Sequence, residues 1–203
     1  MERCGLDLFT FESKTYGLLV DTYSQFTFVK EFRKTPDTVM VTNWLESIFL
    51  TAGFCKYLRS DGGPQMWGGL EDYCRRAKIE LEKSSVENPQ SNGASKASVK
   101  QVKQVFAKCH LEGKSKEEGL FMMQATPRGV GLLSPMRLFY CREPRIPSLP
   151  ACSDLRDKAA AGGARNQNKF ERKERANLKT ERIDTSPMEL EVGLKVIMRN
   201  SKT

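Results

Sequence analysis

A chain of 203 residues with 39% hydrophobic residues is long enough for one main domain with its own core plus appendages. Lysine and arginine number 33 against 25 acidic residues, a net charge of +8 that points toward a polyanionic partner without requiring one. No run is apolar for long enough to cross a membrane and the first residues carry no signal-peptide core, so the chain is expected inside the cell, without a membrane partner.

Three β-rich runs come first, at 4–11, 16–23 and 25–32, with Phe26, Phe28 and Phe32 on one face of the third. The short connections between them predict an antiparallel meander. Thr35-Pro36-Asp37 opens a helix in which Val39, Val41, Trp44, Leu45, Ile48 and Phe49 recur at helical spacing, and Gly53 ends it. A short strand is expected at 54–58, delivering Arg59-Ser60-Asp61-Gly62-Gly63, then a helix at 70–77 and a strand at 79–82. The loop Asn88-Pro89-Gln90-Ser91-Asn92-Gly93 precedes a helix at 94–110 with Val99, Val102 and Phe106 on its apolar side. Helices are also expected at 116–124 and from Ser134-Pro135. Beyond Pro144, Pro147 and Pro150 the composition turns Ala/Gly-rich and then charged, and 190–198 has one more strand-like pattern. This order predicts an α/β domain with a mixed sheet.

Six cysteines (Cys4, Cys55, Cys74, Cys109, Cys141, Cys152) lie far apart with no CxxC pair, which argues against a zinc module or disulfide framework and predicts mostly buried thiols. His110 is the sole histidine, which excludes a two-histidine zinc site; at a helix end it is expected to be a surface or capping residue.

Three segments carry a more specific signal: Gly5-Leu6-Asp7-Leu8-Phe9 on the first strand, Arg59-Ser60-Asp61-Gly62-Gly63-Pro64-Gln65 after the fourth, and Asn88-Pro89-Gln90-Ser91-Asn92-Gly93 before the third helix. In this order and spacing they resemble the integrase catalytic core of retroviruses and gypsy-type LTR retrotransposons. Val20-Asp21-Thr22-Tyr23-Ser24, Thr126-Pro127-Arg128 and Leu133-Ser134-Pro135-Met136-Arg137-Leu138-Phe139 resemble further family segments, and Glu191-Val192-Gly193-Leu194-Lys195-Val196 resembles the start of the small barrel that often follows. The resemblance implies an RNase H-like fold: a mixed five-stranded sheet flanked by helices, with a partly disordered C-terminal tail. It divides the chain into a catalytic core at 1–150, a charged linker at 151–188 and the start of a truncated barrel at 189–203. It also implies a nuclear protein that meets DNA and forms homo-oligomers.

The implied activity is metal-dependent DNA strand transfer. In-line attack on a phosphodiester builds negative charge on the entering and leaving oxygens, and two Mg²⁺ ions held by Asp, Asp and Glu stabilise both. Asp7 and Asp61 match the two aspartates as catalytic metal ligands; Asp21 matches an acidic family position that is not a ligand. The third position departs from the pattern. After Asn92-Gly93-Ala94-Ser95 the family's glutamate is replaced by Lys96, and the next seven residues contain no Asp or Glu. Glu87 is the nearest upstream carboxylate able to substitute, if its loop folds back; Glu80 and Glu82 belong to the strand region. An ammonium there removes a ligand and repels the metal, so the active site is expected to be degenerate and magnesium binding weak or lost.

Lys96, Lys100 and Lys103 follow at i, i+4 and i+7, one face of a helix. By resemblance Lys100 and Lys103 contact DNA beside the active site; as residues alone they are equally an ordinary solvated face. Asn92 and Gly93 leave room for a phosphate at the helix N-terminus. Three functions compete: an integrase-type polynucleotidyl transferase with an impaired site, a non-catalytic DNA-binding or oligomerising module on the same fold, and an unrelated RNase H-like nuclease. The Asn-Pro-Gln-Ser-Asn-Gly segment argues against the last.

Overall fold

The computed structural model describes residues 1–60, 64–83, 93–129, 132–142 and 144–146. Asp61, Glu87 and Asn92, the linker at 151–188 and the barrel start at 189–203 lie outside the described residues.

The first three strands form a meander. β1 (Arg3–Phe11) pairs antiparallel with β2 (Lys14–Asp21), which pairs antiparallel with β3 (Thr27–Phe32). The β1–β2 turn is two residues, Glu12 and Ser13, at φ 48° and 61°, the left-handed pair whose twist matches the flanking strands. β2 ends earlier than its apolar pattern suggests, because the Asp21 carboxylate accepts from the Ser24 backbone N–H and hydroxyl and folds 22–24 into a turn.

The chain then crosses over. α1 (Thr38–Ala52) is N-capped by Asp37, whose carboxylate accepts from the Met40 N–H, and stops at Gly53, φ 87°. Val41, Trp44, Leu45, Ile48 and Phe49 are buried as the periodicity predicts, whereas Val39 is 64% exposed, since two residues before Val41 is about 200° around the helix, on the side away from the buried stripe. β4 (Tyr57–Ser60) and β5 (Glu80–Lys83) extend the sheet in parallel, giving the order β3-β2-β1-β4-β5. Phe54 and Cys55 precede β4 rather than belonging to it; the N–H groups of Lys56 and Tyr57 both bond the Glu2 carbonyl, which sets where the ladder begins. Between the two strands α2 (Pro64–Ala77) is longer than expected and includes Gly68 and Gly69. A Cβ on Gly69 would stand 2.6 Å from Thr38 Cγ2, so the glycine that weakens the helical pattern is what lets α2 approach α1.

α3 (Gly93–Glu112), α4 (Lys116–Ala125) and α5 (Pro135–Tyr140) complete the described chain. The sheet is a filled middle layer. Cys4, Leu6, Leu19, Phe32 and Leu58 pack against α1 and α2 on one face, while Phe9, Tyr16, Leu18 and Val20 pack against Val102 and Phe106 of α3 on the other. Cys4, Cys55, Cys74 and Cys109 are buried free thiols, and Cys141 is exposed. His110 is exposed, its Nδ1 3.4 Å from Glu12. Among the described residues no helix is long and apolar enough to cross a membrane.

Candidate active site and nucleic-acid interface

Strand alternation decides which face Asp7 serves. Successive side chains leave a strand on opposite faces, so Asp7 shares the face of Phe9, whose ring belongs to the α3 side. Its antiparallel partner is Leu18, in the same cluster. The parallel β1–β4 ladder ends at Leu6↔Ser60. Asp7 is therefore half-buried one residue beyond the last pair, at the mouth of the sheet. Asp61 follows Ser60 in the sequence, and its placement lies outside the described residues.

Two contacts fix how α3 crosses β1. Lys103 Nζ lies 5.7 Å over the Phe9 ring, and His110 Nδ1 lies 3.4 Å from Glu12. Seven helical residues at about 1.5 Å each thus accompany three strand residues at about 3.3 Å each, roughly 10 Å in both cases, and α3 runs in the direction of β1. Two strand residues before Phe9 is about 7 Å, or between four and five helical residues before Lys103. Asp7 is consequently level with Ser98 and Val99, and Lys96 stands within about one further turn, in the first turn of α3. The helix carries the expected lysines on a common side: Lys96 and Lys100 are exposed, and Lys103 is half-buried by its contact with Phe9.

The inner face of that first turn is polar. Ser95 and Ser98 are 0% and 1% exposed, and among the described residues neither hydroxyl has a hydrogen-bond partner. Among the described residues no three His, Cys, Asp or Glu side chains gather as a metal-ligand set. Glu82, one of the upstream carboxylates, is already engaged: it pairs with Arg59 at 2.8 Å and Arg3 at 3.4 Å, joining β1, β4 and β5. Asp21 sits 4% exposed beside Cys4, its ladder partner, and serves the turn rather than the Asp7 region. The hydrogen bond with Cys55 first, then burial and the nearby Asp21, raise the Cys4 thiol above its ordinary range.

Sequence reasoning missed the opposite end of α3. There Lys116 Nζ lies 5.3, 5.4 and 5.2 Å from the ring centroids of Phe11, Tyr16 and Phe106. It also donates to the Tyr16 hydroxyl at 2.9 Å and to Glu12 at 3.3 Å. These bonds raise the Lys116 pKa, led by the one to Tyr16. The apolar spacing of Phe11 and Phe106 was readable as core, but nothing local marks Lys116 as the cation of Phe11 and Tyr16, the latter 100 residues away.

No protein-family model matches the chain, and no curated protein matches it. Solved structures do. The catalytic core domain of BIV integrase superposes with a TM-score of 0.58 at 17% identity, covering 68% of this chain and 93% of that one. A chain of the simian T-cell lymphotropic virus intasome, in complex with the PP2A regulatory subunit B56 gamma, superposes with a TM-score of 0.60 at 14% identity, covering 75% of this chain. This chain spans 58% of the length of that one. With its sheet order β3-β2-β1-β4-β5, the chain has the RNase H-like fold of a retroviral integrase catalytic core.

Proposed function

We propose that this chain is an integrase-type, DNA-binding core whose metal-dependent strand transfer is impaired, and that it serves in the nucleus as a non-catalytic DNA-binding or oligomerising module. The observation that carries this reading is Lys96 in the first turn of α3, within about one turn of the level of Asp7. A magnesium centre of this type needs oxygen ligands converging from the first strand, the fourth strand and α3. The assignment gives Asp7 and Asp61 to the first two positions and an ammonium to the third. At ~4 Å and an effective dielectric of ~20, an ammonium repels each unit of metal charge by roughly 4 kcal/mol before relaxation and water reduce it. Two aspartates and an ammonium do not make the three-carboxylate donor set of a two-metal site.

The same lysines suit the phosphate backbone. Lys100 and Lys103 stand beside Lys96 on one side of α3, so affinity arises from charge rather than base readout and falls with salt. The likeness to an intasome chain supports oligomerisation on DNA.

Calorimetric titration of Mg²⁺ into the native chain and Lys96→Glu separates the alternatives. Restored glutamate changes the local charge by two units and is expected to confer measurable binding that the native chain lacks. Equal binding by both proteins would mean that another carboxylate, Glu87 first, completes the centre and that the site is intact.

A further inference from the structure

Away from Asp7 and Lys96, α3 and α4 enclose a groove of about 710 Å³. Its walls mix apolar and cationic groups: Val105, Met122 and Pro127 on one hand, Lys108 and Arg128 on the other. The helices meet closely along its floor, where a Cβ on Gly119 would stand 2.8 Å from Val105 Cγ1. Met122 remains 39% exposed on the groove.

Arg128 is the unusual member. Its guanidinium is half-buried, yet among the described residues its hydrogen bond is a single donation to the Gln25 carbonyl at 3.1 Å and it meets no carboxylate. Burial alone pulls its pKa down. A guanidinium offers five donors in a planar fork matched to a carboxylate, and taking it out of water without that partner is unfavourable. The rest of the groove states what kind of anion would supply it. Glu118 and the Glu112–Lys114 pair, 2.7 Å apart, line the groove too, so any polyanion, a phosphate backbone or an acidic run alike, would meet carboxylates. Val105, Met122 and Pro127 call for apolar cover next to the charge. A single carboxylate with aliphatic neighbours answers both.

We propose that the α3–α4 groove docks an apolar peptide segment of a partner protein that bears a single carboxylate, with that carboxylate on the Arg128 fork and an adjacent aliphatic side chain on Met122 and Val105. Lys108 supplies a second, exposed cation that favours the approach of such a segment. This surface is separate from the metal question, so it stands whether or not Lys96 disables catalysis.

Fluorescence anisotropy on the full chain tests it. The probes are a labelled leucine-rich peptide with one aspartate, and a counterpart with lysine in place of that aspartate. The native chain is expected to bind the acidic probe saturably and the basic probe at least tenfold more weakly. Arg128→Gln keeps an amide donor for Gln25, and Met122→Asp places like charge on an exposed position; each is expected to weaken acidic-peptide binding at least tenfold. Should Arg128→Gln not fold, Met122→Asp and Lys108→Glu decide. The proposal is overturned if the acidic probe does not bind, if it binds the variants as well as the native chain, or if duplex DNA displaces it from the groove. It is equally overturned if sedimentation shows a dimer that Met122→Asp dissociates while the peptide stays unbound, which would make a second copy of the chain the occupant.

Discussion

Replacing Lys116 by methionine asks how much its charge contributes apart from its bulk. Methionine keeps nearly the same length and its sulfur remains favourable against aromatic rings, so packing against Phe11, Tyr16 and Phe106 is largely preserved. What disappears is the cation and its donors. The three rings share one ammonium, so the cation–π contribution is about 1 kcal/mol in total for a side chain that is 25% exposed, not three separate increments. The bond to the Tyr16 hydroxyl, 2.9 Å and made by a charged donor, adds about 1 kcal/mol. Glu12 is 41% exposed, and its contact at 3.3 Å adds a few tenths at most after solvent screening. The sulfur returns about 0.5 kcal/mol. Lys116→Met is therefore expected to lose about 1–2 kcal/mol in urea denaturation followed by circular dichroism at neutral pH, with an unchanged slope. Stability within about 0.3 kcal/mol of the native chain, or above it, would show that the ammonium is merely tolerated and that apolar contact alone joins α4 to the hairpin.

Gly17→Ala is expected to destabilise by about 1–3 kcal/mol, because the new Cβ would lie 2.6 Å from Trp44 Cζ3 and 2.9 Å from Phe32 Cε2, atoms of two rings packed edge to face; an unchanged melting temperature would refute it. Alkaline pH should lower stability. Burial pushes the Cys74 thiol and the Tyr73 hydroxyl up to about 12, from 9.0 and 10.0, so the unfolded chain releases these protons first and the stabilisation present below pH 9 fades as pH rises toward 12. The raised Lys116 acts in the same sense, contributing fully below 10.5 and losing its contribution as pH rises through its folded value. A urea midpoint that stayed level or rose between pH 8 and 11 would contradict all three. Lys103→Ala should cost about 0.5–1 kcal/mol of stability through the lost Phe9 contact while reducing the salt slope of DNA affinity by roughly one; an unchanged slope would leave Lys103 a bystander.

The elements were legible where local chemistry and burial agree. Asp37 and Gly53 bracket α1 in the sequence and in the structure, and Ser134 before Pro135 marks the start of α5. They were less legible where a tertiary contact sets the boundary. The glycines of α2 read as loop because the closeness of Thr38 cannot be seen from 68–69, and β4 shifts because the Glu2 carbonyl bonds Lys56 and Tyr57. Val39 reads as part of the buried stripe because it is apolar, but at about 3.6 residues per turn it lies about 180° from Ile48, and it faces outward. For the site, the motif order and the departure at Lys96 came from the sequence alone. The face that Asp7 shares with α3 required β1 register and the Lys103–Phe9 contact, which join residues nearly a hundred apart.

The two edges of β1 impose different demands on a folding chain. Its pairing with β2 closes across a two-residue turn, so the entropy lost before the first contacts form is small. Its pairing with β4 begins at Arg3↔Tyr57 and waits for the whole of β2, β3 and α1 to be traversed. The hairpin strand that carries Asp7 should therefore form early, while the parallel edge beside it is completed late and opens first. In pulsed hydrogen exchange, amides of β1 facing β2 are expected to gain protection before those of β4 and β5. A mutation that slows the α1 crossover would then delay the neighbourhood of Asp7 without touching any residue in it.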